Sequence, residues 1–179
     1  MEALIVVDAQ NEFSSGGLRP VPNHEDAVRN ILSLVEKARR ERRPIAWVRH
    51  YNKPNESKAF LPSAWGSEFS PGLGPVEGFG SERVFEKDVF GAFTGTSLEE
   101  WLRAERVDAV LIAGFYTHMC LSTSVREALV RGFGVSVDPK ATGACGLSHA
   151  LLGAQSADEV RRSALLQVAA MGATILGSL

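Results

Sequence analysis

An α/β fold, a three-layer sandwich with a mainly parallel sheet flanked by helices, is what the sequence predicts. Short apolar runs rich in β-branched residues and lacking alternation suit strands covered on both faces. Amphipathic helical stripes lie between those runs, and that order makes an α/β domain. The length, 179 residues, suits one domain spanning 1–179, with no internal repeat and no interdomain linker. A chain of this size buries roughly 70% of its unfolded surface, so its core needs no disulfide or metal.

Ala3–Val7 is the first predicted strand and runs directly into Asp8. Val28, Ile31, Leu32, Val35 and Ala38 then form one helical stripe, with Asn23 as its N-cap and Pro44 as its stop. Pro44–Val48 is a second strand, and Arg83-Val84-Phe85-Glu86 a short extended run leading to Lys87. Thr96-Ser97-Leu98-Glu99 reads as a capping box opening a helix through Trp101 and Leu102. Ala109–Ala113 is a strand, and Met119–Arg131 a helix closed by Gly132. Val135–Val137 is a weaker strand. Ser156-Ala157-Asp158-Glu159 is a second capping box, opening a helix through Val160, Leu165 and Val168, and Ala173–Leu176 is the last strand. Residues 51–83 break the pattern, with Pro54, Pro62, Pro71, Pro75 and five glycines. A long irregular stretch of this kind is either a lid or pocket wall or a plain surface excursion.

Composition excludes several classes. Nineteen Lys plus Arg against 21 Asp plus Glu give a formal charge of −2, without the basic excess of a nucleic-acid binder. The 45% hydrophobic content argues against disorder. No apolar run approaches the ~18 residues of a membrane span, and Met1–Asp8 has no basic leader. The expectation is a cytoplasmic protein without membrane or nucleic-acid partners. Cys120 and Cys145 are too few for a disulfide framework and count as thiols.

Glycine is abundant, yet the first strand is not followed by Gly-x-Gly-x-x-Gly, Gly91–Ser97 lacks the lysine of a phosphate loop, and Gly-x-Ser-x-Gly is absent. His24, His50, His118 and His149 show no metal-ligand spacing. The basic run Lys37–Arg43 suits the solvated face of a helix.

Ligands of open parallel sheets bind beyond the carboxyl ends of the strands, and three reactive residues fall there. Asp8 ends the first strand, where a charge is costly unless paired; a turn-capping aspartate is the plainer role. Lys87 gains meaning as a partner for Asp8, although most lysines are simply solvated. Cys120 falls in the first turn of a helix, with Thr117 as a candidate N-cap. There the helix N–H groups favour a thiolate and a nucleophile; a buried, inert cysteine suits the same position. Cys145, in a loop of small residues, reads as structural.

These residues resemble the isochorismatase-like cysteine hydrolases, the superfamily of nicotinamidases and N-carbamoylsarcosine amidases. The resemblance covers nearly the whole chain and rests on motifs in order. They are Val6-Val7-Asp8-Ala9-Gln10-Asn11-Glu12-Phe13, Phe85-Glu86-Lys87 with Gly91-Ala92-Phe93, Gly95-Thr96-Ser97-Leu98 with Trp101-Leu102, and Ile112 through Cys120. Asp138 also stands where the family has an aspartate. The resemblance implies a Rossmann-like, isochorismatase-like hydrolase fold and a catalytic triad of Asp8, Lys87 and Cys120. It further implies a non-proline cis peptide at Phe115–Tyr116 and an oxyanion hole formed by the N–H groups of Tyr116 and Cys120.

The activity implied is cleavage of a C–N bond in a small amide, carbamoyl or ureido compound through a thioester. The alternatives are a vinyl-ether hydrolase of the isochorismatase kind and a non-catalytic small-molecule-binding member of the fold. Candidate substrate-binding walls are Phe13, Trp65, Phe93 and Tyr116, with Arg49 or His50 a candidate for a substrate carboxylate. Nicotinamidases hold a metal with an Asp-x-His unit, whereas this chain reads Trp47-Val48-Arg49-His50-Tyr51; no metal and no cofactor are expected. His118 is expected to make a structural hydrogen bond. By resemblance the protein assembles as a homo-oligomer.

Overall fold

The fold is described from a computed structural model covering residues 1–53, 55–78 and 81–177. Pro54 and Gly80 of the irregular segment, with Phe79, Ser178 and Leu179, lie outside the described residues. The strands are β1 (Glu2–Val7), β2 (Ile45–His50), β3 (Glu82–Lys87), β4 (Ala109–Phe115), β5 (Gly134–Gly143), β6 (Leu147–His149), β7 (Gly153–Gln155) and β8 (Thr174–Ile175). The helices are α1 (His24–Arg40), α2 (Leu98–Ala104), α3 (Ser122–Val130) and α4 (Ala157–Ala170).

Six strands form one parallel sheet in the order β3-β2-β1-β4-β5-β8. Side chains alternate across it. Ala3, Ile5 and Val7 join a core with residues of α2, α3 and α4, whereas Leu4 and Val6 join a second core with Ala27, Ile31 and Val35 of α1. Both faces of β1 are therefore dry, which is why its sequence shows no polar alternation. β6 and β7 form a small antiparallel hairpin that periodicity does not reveal.

Two predicted capping motifs differ from the structure. α2 begins at Leu98 after Ser97, whose side chain caps nothing. Thr96 Oγ1 accepts the Leu98 N–H at 3.3 Å, without the Glu99 arm of a box, and donates to Ala92 O at 2.7 Å, tying the helix entrance to the preceding loop. Asn23 stands at the head of α1, but its Nδ2 donates across the fold to Thr142 O at 3.2 Å. The Ser156–Glu159 capping box forms in full. The stretch expected as one helix from Met119 starts as a wide turn over Thr117–Leu121, in which the Leu121 N–H reaches back five residues to Tyr116 O at 3.1 Å. α3 follows and ends before Gly132, at φ +80°.

β4 and β1 approach most closely at their carboxyl ends. Gly114, at φ +123°, faces Val7, and a Cβ there would stand 1.8 Å from Val7 O. Beyond this point β5 carries an irregularity around Pro139. Ile112 pairs with Val137 but Gly114 pairs with Thr142.

Gly114→Ala is expected to cost more than ~4 kcal/mol or prevent accumulation of folded protein. Gly132→Ala, where nothing lies within 4 Å, is expected to cost only about 1–2 kcal/mol. Urea unfolding of both variants checks the contrast, and equal costs would contradict the contact at Gly114.

Candidate active site

The chain builds β1, β2 and β3 outward in one direction, then β4, β5 and β8 in the other. The reversal between β1 and β4 leaves a crevice at their carboxyl ends, the usual ligand position in such sheets. Asp8 follows β1 with φ +52°, a left-handed conformation that Asp tolerates better than most residues. Its N–H donates to Val48 O at 2.9 Å and its carbonyl accepts the Gln10 N–H at 2.8 Å. These bonds turn the carboxylate into the crevice.

Lys87, the last residue of β3, reaches across the end of β2. Its Nζ donates to Asp8 Oδ2 at 2.7 Å, to Val89 O at 3.0 Å and to His50 Nδ1 at 3.2 Å. Three acceptors match the three N–H bonds of an ammonium. The two charged side chains are only 0% and 1% exposed. Burial alone would lower the lysine pKa, but Asp8, with help from Cys120, outweighs it and the net shift is upward. Asp8 Oδ1 is buried and has no hydrogen-bond partner among the described residues.

Cys120 lies in the wide turn after β4, on the other side of Asp8. Burial first, and the Asp8 carboxylate second, push its thiol well above the ordinary value; Lys87 acts the other way. The Cys120 side chain is therefore held as a protonated thiol, near a carboxylate oxygen with no hydrogen-bond partner among the described residues. The sequence expectation of a ready thiolate at a helix start does not survive, because dehydration of the sulfur outweighs the field of the turn. The Phe115–Tyr116 peptide is cis, and the Tyr116 N–H donates to no group among the described residues. Thr117, a candidate N-cap, instead pairs its hydroxyl with Thr142 Oγ1 at 2.8 Å. Ser124 Oγ donates to Cys120 O at 2.6 Å and accepts the Ala92 N–H at 3.0 Å, fixing the nucleophile turn to α3 and to the loop before α2.

Asp8 and Cys120 open on one cavity of about 380 Å³, a size suited to a small molecule. Phe13 and Tyr116 line it, as the sequence suggests, together with Phe60, Phe90, Met119 and Leu147. Trp65 does not. It is 54% exposed and borders a separate hollow with Ser14 and Pro71. Phe93 is also absent from the cavity. Its N–H is held by Glu127 Oε2 at 2.9 Å, and its ring packs in the core 6.0 Å from Phe133. Asn52 and Phe60 line the cavity, so part of the irregular segment is a pocket wall.

Other assignments change as well. Cys145, read as structural, lines the cavity. Arg49 faces away, with Nη1 on Tyr51 Oη at 3.0 Å and its guanidinium 4.4 Å from the Phe69 ring. His50 borders the cavity, but both ring nitrogens are engaged. Because Lys87 can only donate, Nδ1 accepts and Nε2 donates to Asn52 Oδ1 at 2.9 Å. His118 makes no hydrogen bond among the described residues; its ring lies 5.1 Å from that of Tyr116, and burial lowers its pKa. Asp138 accepts the Lys140 N–H at 2.9 Å at the β5 irregularity, outside the cavity.

Sequence reasoning quoted Gln10 but gave it no role. It is fully buried, donates to His50 O at 3.0 Å and Ser67 O at 2.9 Å, and accepts the His50 N–H at 2.9 Å. It thus fastens the end of β2 beside Lys87. A buried glutamine two residues after a strand-end aspartate was the available signal.

The parallel sheet thus brings a thiol-bearing turn and an Asp–Lys pair together at its switch point. Residues 2–178 match the isochorismatase domain, and the chain belongs to the isochorismatase family. It is 31% identical over 150 residues to nicotinamidase 3 of Arabidopsis thaliana, covering 78% of this chain and 72% of that one. An isochorismatase structure from Pseudomonas putida KT2440 superposes with a TM-score of 0.89 at 32% identity, covering 97% of this chain and 86% of that one. N-carbamoylsarcosine amidase from Thermoplasma acidophilum gives a TM-score of 0.79 at 26% identity, with 97% and 94% coverage. Nicotinamidase-type metal binding does not fit these residues. His50 is bonded to Lys87 through Nδ1 and to Asn52 through Nε2, and no group of three His, Cys, Asp or Glu side chains converges among the described residues.

Two outcomes follow. Lys87→Met leaves a buried carboxylate without its cation and is expected to cost about 3–5 kcal/mol, read as a lower urea midpoint. Alkylation of Cys120 by iodoacetamide is expected to be slower at pH 7 than that of an ordinary thiol and to climb only above pH ~8.5. The sign follows from the raised pKa: the folded protein holds this proton more tightly than the unfolded chain, so the group's contribution to stability is present below that pH and lost above it. Labelling at pH 7 faster than that of free cysteine would contradict a resting thiol.

Proposed function

We propose that this family member is a cysteine-dependent hydrolase acting on a C–N bond of a small amide, carbamoyl or ureido compound, with 1–179 as one domain. The observation that carries the reading is the pairing of a buried thiol with a carboxylate that has one oxygen held by Lys87 and the other free. Asp8 Oδ1 takes the thiol proton as Cys120 Sγ attacks the carbonyl carbon. The N–H groups of Tyr116 and Cys120 receive the oxyanion, and a single donor of this kind is worth roughly 3–4 kcal/mol. The C–N bond breaks as Asp8 returns the proton to the leaving nitrogen. Water, deprotonated by Asp8, then attacks the thioester, the acid departs, and Cys120 regains its proton from Asp8. Lys87 holds the other carboxylate oxygen and keeps Asp8 oriented throughout.

The vinyl-ether reaction needs no nucleophilic thiol, so Cys120 favours the amide reading. A nicotinamidase and an N-carbamoylsarcosine amidase among the similar proteins agree with it. A reducing, cytoplasmic setting suits two free cysteines facing one cavity. No helix among the described residues is long and apolar enough to cross a membrane. Self-assembly belongs to the same proposal, supported by exposed Leu151 and Leu152 at the tip of the β6–β7 hairpin.

Cys120→Ala and Asp8→Asn are each expected to lower kcat/KM for ammonia release by at least about a thousandfold, with an unchanged circular-dichroism spectrum. Residual turnover above a few per cent in a folded variant would overturn the assignment.

A further inference from the structure

Among the described residues lining the cavity, one cationic side chain has no hydrogen-bond or ion-pair partner. Among the described residues lining it, Asp8 is paired with Lys87, and His50 and Asn52 are bonded to each other. Asn52 Nδ2 also donates to Ala59 O at 2.9 Å, and the Tyr116 hydroxyl donates to Arg19 O at 2.9 Å. Burial pushes the Tyr116 phenol up, so it remains a donor. Arg19 lines the same cavity, and its guanidinium has no hydrogen bond and no ion pair among the described residues.

Its backbone, in contrast, is fixed. The Arg19 N–H donates to Glu12 O at 3.0 Å, and the Val21 N–H donates to Phe13 O at 2.9 Å. With the Tyr116 bond, these contacts lace the loop after Phe13 onto the cavity wall. Gly17 is required in that loop, since a Cβ there would lie 2.1 Å from Glu12 O. A fixed backbone thus presents a free cation at the mouth.

The neighbouring hollow shares Arg19 with the cavity, and its carboxylates are engaged elsewhere. Asp88 lies 3.6 Å from Lys53 Nζ, and Glu56 accepts the Lys53 N–H at 2.8 Å. Phe13, Phe60, Phe90 and Met119 give the same cavity apolar walls. The cavity therefore combines the Cys120 thiol, apolar walls and a cation at the border with the neighbouring hollow.

We infer that Arg19 selects substrates carrying a carboxylate at the end remote from the scissile bond, and that the natural substrate is a small anionic amide, carbamoyl or ureido compound. The inference rests on the C–N hydrolase reading for its reaction, and on the cavity alone for its charge. A guanidinium suits the task because its planar fork meets both carboxylate oxygens. The amide end then meets Cys120 while the organic spacer lies against the aromatic walls.

The test compares matched probes: succinamate, glutaramate and 4-carbamoylbenzoate against butanamide, pentanamide and benzamide, assayed by ammonia release. The acids are expected to exceed their neutral partners in kcat/KM by at least about tenfold, the scale of one charge-assisted contact. In Arg19→Ala that ratio should collapse to within about threefold, mainly through KM, and Arg19→Lys should restore part of it. Raising the salt concentration should also narrow the wild-type ratio, because the guanidinium is exposed. Neutral amides turned over as well as the acids, or a ratio that survives Arg19→Ala, would overturn the inference and leave the hydrolase reading standing. Failure of all six amides would instead remove the hydrolase reading. Calorimetric binding of the three acids to Cys120→Ala then decides the role of Arg19. Binding weakened at least about tenfold by a further Arg19→Ala change supports it; binding that is absent or unchanged overturns it.

Discussion

A buried ion pair governs the site. Asp8 and Lys87 are almost fully removed from water at 2.7 Å, and neither is sustainable there alone. The pair draws three strands into register at one edge: β1 supplies the carboxylate, β3 the ammonium, and β2, lying between them, supplies His50 as the third acceptor for Nζ. It also sets the chemistry. With Oδ2 given to Lys87, Oδ1 has no hydrogen-bond partner among the described residues, and the proposed reaction uses it for the thiol proton. In the proposed reaction that free oxygen is the one placed to act as a base.

The rest of the site is a set of supports for that geometry. Gln10 pins the end of β2, so His50 faces Lys87. Gly114 lets β4 close against β1 and deliver the Cys120 turn beside Asp8. Ser124 and Glu127 of α3 hold the loop 91–94, and this contact turns Phe93 into the core and away from the cavity. None of these side chains reacts, yet each removes a freedom that would loosen the distance between base and nucleophile, and such looseness is costly to catalysis.

His50 and Asn52 form a hydrogen-bonded unit directed at Lys87. That unit closes one side of the cavity with groups already satisfied. A molecule in the cavity therefore meets apolar walls and Arg19, which has no hydrogen bond or ion pair among the described residues. Selectivity in such a cavity rests on few polar contacts, each placed by a different stretch of chain.

The sequence by itself determined the layers, the parallel sheet and the three residues at its edge. Doubly buried strands show as unbroken apolar runs, and a charge placed directly after such a run, as at Asp8, has few places to go. Gly132 and the Ser156–Glu159 box were equally legible, because helix ends obey local backbone chemistry. Tertiary structure alone decided the cavity wall. Trp65 and Phe93 look like Phe13 and Tyr116 in sequence, but whether an aromatic ring faces the crevice depends on which distant group holds its backbone. The same holds for Cys145, brought to the cavity by the chain beyond β5, and for the β6–β7 hairpin, too short for periodicity to show. The protonation of Cys120 was hidden for a related reason. Its position at the head of a turn is local, but the burial that raises its pKa is assembled from the whole fold.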